Sequence, residues 1–580
     1  MTSGKEWHQL PRPVAMTRLV EIRNELRQTN LFDTEEPPLP AATVAAPSDV
    51  LVARTIDGTW NDLRCPHMGA ANTRFGRNIP LSEAAPDTER MLTPNPRVVS
   101  QTLFTRTTFQ PATIVNLLAA AWIQFQVHDW FQHAPGTPAD AHEIPLADGD
   151  SWPERPMRVP RTPADPAAVP GSTRPPAYVN QNSHWWDGSQ VYGCTAAAQA
   201  AIRTGEGGRV RVNADGRLPL DPATGFETTG FTDNGWIGLS LLHALFALEH
   251  NAICAHLASR YPASSDEQLF RQARLINAAL MAKIHTVEWT PAILPHSIVK
   301  TAMHTNWFGF LGDAQKVFPG LDDSEVLGGI PGSPTDHHTA PYSLTEEFVS
   351  VYRLHSLIPD DYTLRSAATG AVLGEFELPQ VSGRAGRELF ARFDSTDLFY
   401  SLGVAYPGAL RLHNFPRHLQ DLLKDTGERL DLATVDILRD RERGVPRYNQ
   451  FRRLFHKLPV TSFEELTDNP EWAAEIKRVY NNDLEAVDLL VGLMCEPLPE
   501  GFGFSDTAFR VFVLMASRRL KSDRFYSQDY RPEVYTQEGI DWIEQHTMLD
   551  VLKRHWPGLA PALEGLENAF HPWRTVGGRA

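Results

Sequence analysis

The stretch AAWIQFQVHDWFQH (120–133) sets His128 and Asp129 side by side in a helix whose other positions, Ala121, Trp122, Ile123, Phe125, Val127, Trp130 and Phe131, call for burial. A charge withdrawn from water without a partner is costly. A fold containing this helix must therefore bring partners to both residues from distant segments.

The 580-residue chain offers many such segments. Helical periodicity marks 14–29, 112–132, 237–260, 266–290, 343–357, 408–424, 462–479, 484–494 and 506–521. Strand signals are few and short, no internal repeat occurs, and no linker separates independent cores. The expectation is a mainly α protein with long loops: an N-terminal helical arm (1–35) followed by one large domain (36–580). Residues 134–182 are too rich in proline for a helix and read as an ordered surface loop. The 14–29 helix reads as an arm packed on the core, with membrane-surface contact as the alternative.

With 54 basic and 70 acidic residues the net charge is −16, and no long basic run points to nucleic acid. Cys65, Cys194, Cys254 and Cys495 lie far apart and read as reduced thiols, not a disulfide framework. The opening MTSGKEWHQLPRP has no apolar signal region, and the uncharged apolar runs are shorter than a spanning helix. A cytoplasmic protein, or one peripheral on a membrane surface, is expected.

Partners for Asp129 are offered by NSHWWDGSQVYG. Ser183, Trp185 (through its carbonyl), Asp187 and Ser189 recur at every second position and present oxygens to one side. Together with Asp129 they make an all-oxygen set with two negative charges, which suits Ca²⁺; a polar turn is the plainer alternative. His128 shares its helical face with Ala121, Gln124, Phe125 and Phe131, a surface against which a planar cofactor could lie. A second histidine appears in EEFVSVYRLHSLIPD, where Tyr352 and His355, three apart, are expected on one helical face. One histidine on haem iron and another facing peroxide or oxygen form a minimal peroxidase constellation. The ligating histidine needs an acceptor on its second nitrogen, and Asn414 in RLHNFPRH is a candidate.

In this order IQFQVHDWFQH, WWDGSQVYG, LEHNAICAHL, VYRLHSLIPD and NFP resemble the animal haem peroxidase and cyclooxygenase superfamily. DGTWNDLRCPHMGAANTRFGRN (57–78), KIHTVEWTPAIL (283–294) and ASRRLKSDRFY (516–526) are similar to segments of its fatty-acid α-dioxygenases, and the resemblance covers nearly the whole chain. It implies that His128 is the distal histidine, His355 the iron ligand and Asn414 its partner, and that Asp129, Ser183, Trp185, Asp187 and Ser189 bind a structural calcium. Gln124 would border the cofactor. Mammalian secreted members esterify haem through an aspartate just before the distal histidine. Gln126 and Val127 stand here instead, so a non-covalent haem b is expected. The distal arginine of those members has no counterpart near TGFTDNGW, where Asp233 and Asn234 occur.

In α-dioxygenases and cyclooxygenases a Tyr-x-x-His tyrosine is the hydrogen-abstracting radical, which the resemblance assigns to Tyr352. His285, Thr290 and Arg518 or Arg519 match residues that hold the fatty-acid carboxylate, for which an arginine is suited. The implied activity is α-oxidation of a fatty acid by O₂, with a peroxide activator, to a 2-hydroperoxy acid. The alternative is a haem peroxidase acting on small phenols or halides, with Tyr352 and the carboxylate-binding residues incidental; a non-catalytic haem carrier is a third. The adjacent His337 and His338 read as solvated, and no HExxH or GxSxG occurs.

Overall fold

Helices form where apolar residues recur at helical spacing, and several open on a side-chain cap. The computed structural model describes residues 5–169, 171–312 and 324–577. Residues 1–4 of the expected arm and Pro170 in the proline-rich segment lie outside it. Helix α1 (Arg12–Thr29) buries Ala15, Leu19, Ile22 and Leu26 at helical spacing. Helix α2 (Leu117–Trp130) starts where Asn116 accepts the Ala119 N–H at 3.2 Å, and it is buried nearly all round. Helix α3 (Ile237–Arg260) is long and apolar enough to cross a membrane, which the short uncharged runs did not suggest, yet 83% of that window is buried in the fold. Helix α4 (Asp266–Ile284) opens with a Ser265–Gln268 capping box and two acidic residues in its first turn.

Further along come α5 (Glu346–Val351), α6 (Leu432–Glu442) and α7 (Asp506–Ser522). Helix α3 packs between α2 and α4, while α7 packs against α1 and α5. Buried apolar side chains from Trp7 to Trp573 join in one main cluster. Among the described residues strands form only two-stranded antiparallel pairs. One pair, Ala141–Ile144 with Met157–Pro160, converts part of the expected proline-rich loop into a hairpin over a satellite core of Ile144, Trp152, Met157, Val159 and Leu438.

Several expected helices are broken. No helix spans 408–424: the segment holds a short 3₁₀ turn at Arg417–Leu419 and the strand Leu422–Leu423. Pro416 disfavours a helical Phe415, and the Asn414 amide binds the Gln110 and Ala409 carbonyls, satisfying backbone that a helix would otherwise use. The 462–479 pattern divides at Pro470, whose helix Asn469 caps. The 484–494 pattern becomes a 3₁₀ turn and the helix Leu489–Cys495. The 343–357 pattern is helical only over Glu346–Val351, so Tyr352 and His355 do not share a helical face. Arg353 is drawn to Asp440 at 3.0 Å, and Arg106 donates to the Ser356 carbonyl at 3.0 Å. These tertiary bonds override the local periodicity.

Candidate active site

At the end of α2 the two residues meet different surroundings. His128 is 7% exposed, and its ring lies 4.1 Å from that of Phe231. Burial, with a lesser contribution from His243, pushes its pKa down to about 3, so the imidazole is neutral. Its Nδ1 is buried without a hydrogen-bond partner. Gln124, one turn earlier, is held by the 234–236 segment: it accepts from the Trp236 indole at 2.9 Å and donates to the Asn234 carbonyl at 3.3 Å.

Asp129 meets the oxygen-bearing segment. The Ser189 N–H donates to Asp129 Oδ1 at 2.5 Å, and the Ser189 hydroxyl donates to Asp187 Oδ1 at 2.5 Å. The Ser183 hydroxyl accepts the Trp185 N–H at 3.2 Å. Oδ2 of Asp129 and of Asp187 are both buried without a hydrogen bond; Arg274 stands 3.4 Å from the latter. Burial, then the Asp187 charge, pushes the Asp129 carboxyl well above its ordinary range. No group of three or more His, Cys, Asp or Glu side chains suited to a metal occurs among the described residues. The donors brought together here are instead two carboxylates and the Ser189 hydroxyl, with the Ser183 hydroxyl on the same segment, and the two carboxylate oxygens free of hydrogen bonds fit a hard divalent cation.

The predicted carboxylate-binding residues converge on one cavity. It is lined by His285, Thr290, Tyr352 and Arg519, with Met303, Asn306, Phe512 and Leu520 among the other walls. His285 opens a π-helical turn (His285–Trp289) that follows α4 and precedes Pro291. Proline cannot supply the next helical N–H and crowds the preceding turn, which favours such a bulge. In the wider turn the Thr290 hydroxyl donates to the His285 carbonyl, five residues back, at 2.9 Å. The Trp122 indole donates to His285 Nδ1 at 3.2 Å. With burial and the nearby Arg519 charge holding its pKa well below normal, His285 is neutral and carries its hydrogen on Nε2. Burial raises the Tyr352 phenol, keeping it protonated.

The two arginines left open by the sequence part company. Arg518 turns away and donates to the carbonyls of Ala340 at 2.8 Å and Pro341 at 2.9 Å. It is therefore removed from the candidate carboxylate site. Arg519, 2% exposed, faces the cavity, and its guanidinium lies over Trp130, Trp186 and Phe348. Its Nε and Nη2 have no hydrogen-bond partner.

His355 donates through Nδ1 to Asp436 at 2.8 Å. Asn414 is not that acceptor: its carbonyl oxygen takes the Arg106 Nε–H and the Gln110 N–H, both at 3.0 Å. Asp436 and Asp440, one turn apart on α6, together hold His355 and Arg353. The only trace of this in the sequence is an acidic pair at helical spacing in VDILRDRER, which does not say what it faces. Trp186, which completes the aromatic surround of Arg519, likewise carries no distinguishing signal within HWWDGS.

A profile of the animal haem peroxidase family matches residues 53–564, and the chain belongs to that family. Within it, the chain is similar to Alpha-dioxygenase PIOX of Oryza sativa subsp. japonica, at 36% identity over 98% of this chain and 93% of that protein. Alpha-dioxygenase 1 of Capsicum annuum is 36% identical over 98% of this chain and 89% of its own. The crystal structure of the Arabidopsis thaliana fatty acid alpha-dioxygenase superposes with a TM-score of 0.92 at 35% identity, covering 98% of this chain and 90% of that one. A tyrosine-to-phenylalanine form of the Oryza sativa enzyme with palmitic acid gives 0.91 at 35% identity, covering 98% and 94%. The residues present fit the family's haem. His355, fixed through Nδ1, leaves Nε2 as an iron donor, and His128 offers a buried nitrogen without a protein partner.

Proposed function

We propose that this protein is a haem-dependent fatty-acid α-dioxygenase that converts a long-chain carboxylic acid and O₂ into the 2-hydroperoxy acid. The observation that carries this is the meeting of Tyr352, His285, Thr290 and Arg519 in one cavity, with two Arg519 nitrogens unpartnered. A buried cation with unsatisfied donors in an apolar enclosure favours an anion with an apolar body, and palmitic acid, found with the Oryza sativa relative, has that character.

The haem supplies one-electron oxidation driven by a peroxide. Arg519 and the Nε2–H of His285 hold the carboxylate, and the Thr290 hydroxyl lies beside them. The substrate's first methylene then lies nearest the phenol of Tyr352. Tyr352 loses one electron and one proton, and the resulting phenoxyl takes a hydrogen atom from the α-carbon. O₂ adds to the carbon radical, and the peroxyl so formed recovers a hydrogen atom from Tyr352, giving the hydroperoxide and restoring the radical. Aromatic and aliphatic walls keep water from the intermediate radicals.

The haem is held without a covalent bond: Gln126, near the position of the esterifying aspartate, is buried and accepts from the Trp186 indole at 2.8 Å. Calcium is held by Asp129, Asp187, Ser183, Ser189 and the Trp185 carbonyl, steadying the end of α2 behind His128. Metal analysis is expected to find about one calcium per chain. Asp187→Ala should lose it, with weaker haem retention; an active, calcium-free preparation would remove the site.

The deciding experiment is oxygen uptake by haem-loaded protein given fatty acid and trace peroxide. Tyr352→Phe should keep its haem spectrum and some peroxide reactivity, and should lose fatty-acid-dependent uptake. Wild-type uptake by that variant would leave a small-substrate peroxidase in place of the dioxygenase.

A further inference from the structure

Arg519 covers two oxidisable rings. Its guanidinium carbon stands 4.0 Å from the ring centre of Trp130 and 4.4 Å from that of Trp186. Those rings make a route leading away from Tyr352: Trp130 meets Tyr352 edge-on at 5.4 Å between centres, and meets Trp186 at 5.5 Å. Tyrosine and tryptophan are oxidised with similar ease, and rings in van der Waals contact exchange electrons readily. A phenoxyl at Tyr352 is therefore open to a side reaction. An electron passes from the Trp130 indole to the phenoxyl, the proton that Tyr352 released on its own oxidation returns to the oxygen to give phenol, and the indole is left as a radical cation.

We infer that Arg519 is an electrostatic insulator as well as a substrate anchor: its charge over Trp130 and Trp186 disfavours an indole radical cation and confines the oxidising equivalent to Tyr352. The inference rests on Tyr352 being the radical of the proposed reaction. A second observation closes the remaining route. Trp130 Nε1 is buried with no hydrogen-bond partner, so the indole in contact with Tyr352 has no acceptor for its proton, and the Trp186 indole donates only to the neutral amide of Gln126, which is too weak a base to take it. Like charges a few ångströms apart repel strongly in a buried site of low dielectric, and cation–π contact further lowers the energy of the reduced ring. The one position thus serves both ends of the chemistry, drawing the carboxylate in and keeping the hole from leaving.

The test is electron paramagnetic resonance of the haem-loaded full chain, frozen shortly after mixing with a hydroperoxide and without fatty acid. Wild type should show a tyrosyl signal that Tyr352→Phe removes. Arg519→Gln should shift the tyrosyl-to-indolyl ratio by at least about tenfold toward indolyl, equivalent to ~1.4 kcal/mol. Adding Trp130→Phe to that variant should restore the tyrosyl signal. Arg519→Lys, which keeps the charge and loses the planar fork, should remain tyrosyl, whereas a packing role would make Lys and Gln behave alike. An indolyl signal in wild type, a tyrosyl signal undiminished in Arg519→Gln, or an Arg519→Lys protein that leaks like the Gln variant overturns the insulation. A wild-type protein with no Tyr352-dependent signal overturns the radical reading, and the insulation with it.

Discussion

Helix α7 carries a buried charge near each end, and the fold treats the two oppositely. At its start both oxygens of Asp506 are occupied: the Trp7 indole donates to one at 2.9 Å, and Lys457 donates to the other. Glu6 joins in, 3.1 Å from both Lys457 and Arg510. Near its end Arg519 lies among aromatic rings with two nitrogens unpartnered. The first arrangement ties the N-terminal segment to the core and leaves nothing for a ligand. The second leaves part of its hydrogen-bonding capacity open, as do Asp129 and Asp187 with the sign reversed. Burial of a charge is thus common to architecture and to function; at Asp506 and Arg519 what differs is how far the charge is compensated.

The largest effect expected from breaking this contrast is at the satisfied end. Asp506→Asn leaves buried Lys457 with only the part-exposed Glu6 carboxylate as counter-charge, and should cost about 3 kcal/mol in denaturant unfolding. The folded fraction should keep wild-type fatty-acid affinity. A drop in affinity would show that the two ends are coupled. At the open end Arg519→Gln should do the reverse. Unfolding free energy should move by no more than ~2 kcal/mol, the scale of the cation–π attraction that disappears with the charge. The KM for fatty acid should rise about 30-fold, since a hydrogen bond to a charged group is worth ~2 kcal/mol. An unchanged KM would take Arg519 out of the carboxylate site.

Acid sharpens the same comparison with a smaller effect. Burial alone would raise the Asp506 carboxyl, but Lys457 and Arg510 overcome it and hold the pKa at about 2, against an ordinary 3.8. A depressed carboxylate stabilises the folded state above its unfolded pKa. Its contribution, on the order of 2 kcal/mol, is therefore complete above about pH 4 and fades as pH falls toward 2. Wild type should lose that increment on acidification and Asp506→Asn should not. Parallel pH profiles would refute the assignment.

What the sequence disclosed follows from how local each feature is. Helix α3 and the body of α7 are legible because their apolar residues lie within the segment, and α7 also carries its own cap in Ser505. The alternating oxygens of 183–189 were legible because a short span holds four of them. The choice between Arg518 and Arg519 was not: adjacent helical residues point about 100° apart, and only the loop at 337–343, which consumes Arg518, decides between them. The end of α5 was hidden for a similar reason. Arg353 and His355 leave helical geometry to reach α6, so Asp436 as the histidine's acceptor depends on a contact across 81 residues. Asn414 matched the chemistry required, but its oxygen was already taken by Arg106 and Gln110.

The π turn at His285–Trp289 makes recognition of the substrate head a matter of phase. At the ordinary 100° per residue, positions five apart on a helix are separated by about 140° and face different neighbours. The wider turn absorbs most of that angle, and so His285 and Thr290 border the same cavity. The spacing between them therefore carries information that their identities do not. An ordinary α-helix over the same five residues, with every side chain of the pocket retained, would swing Thr290 out of register with His285 and present the carboxylate with half of its polar floor.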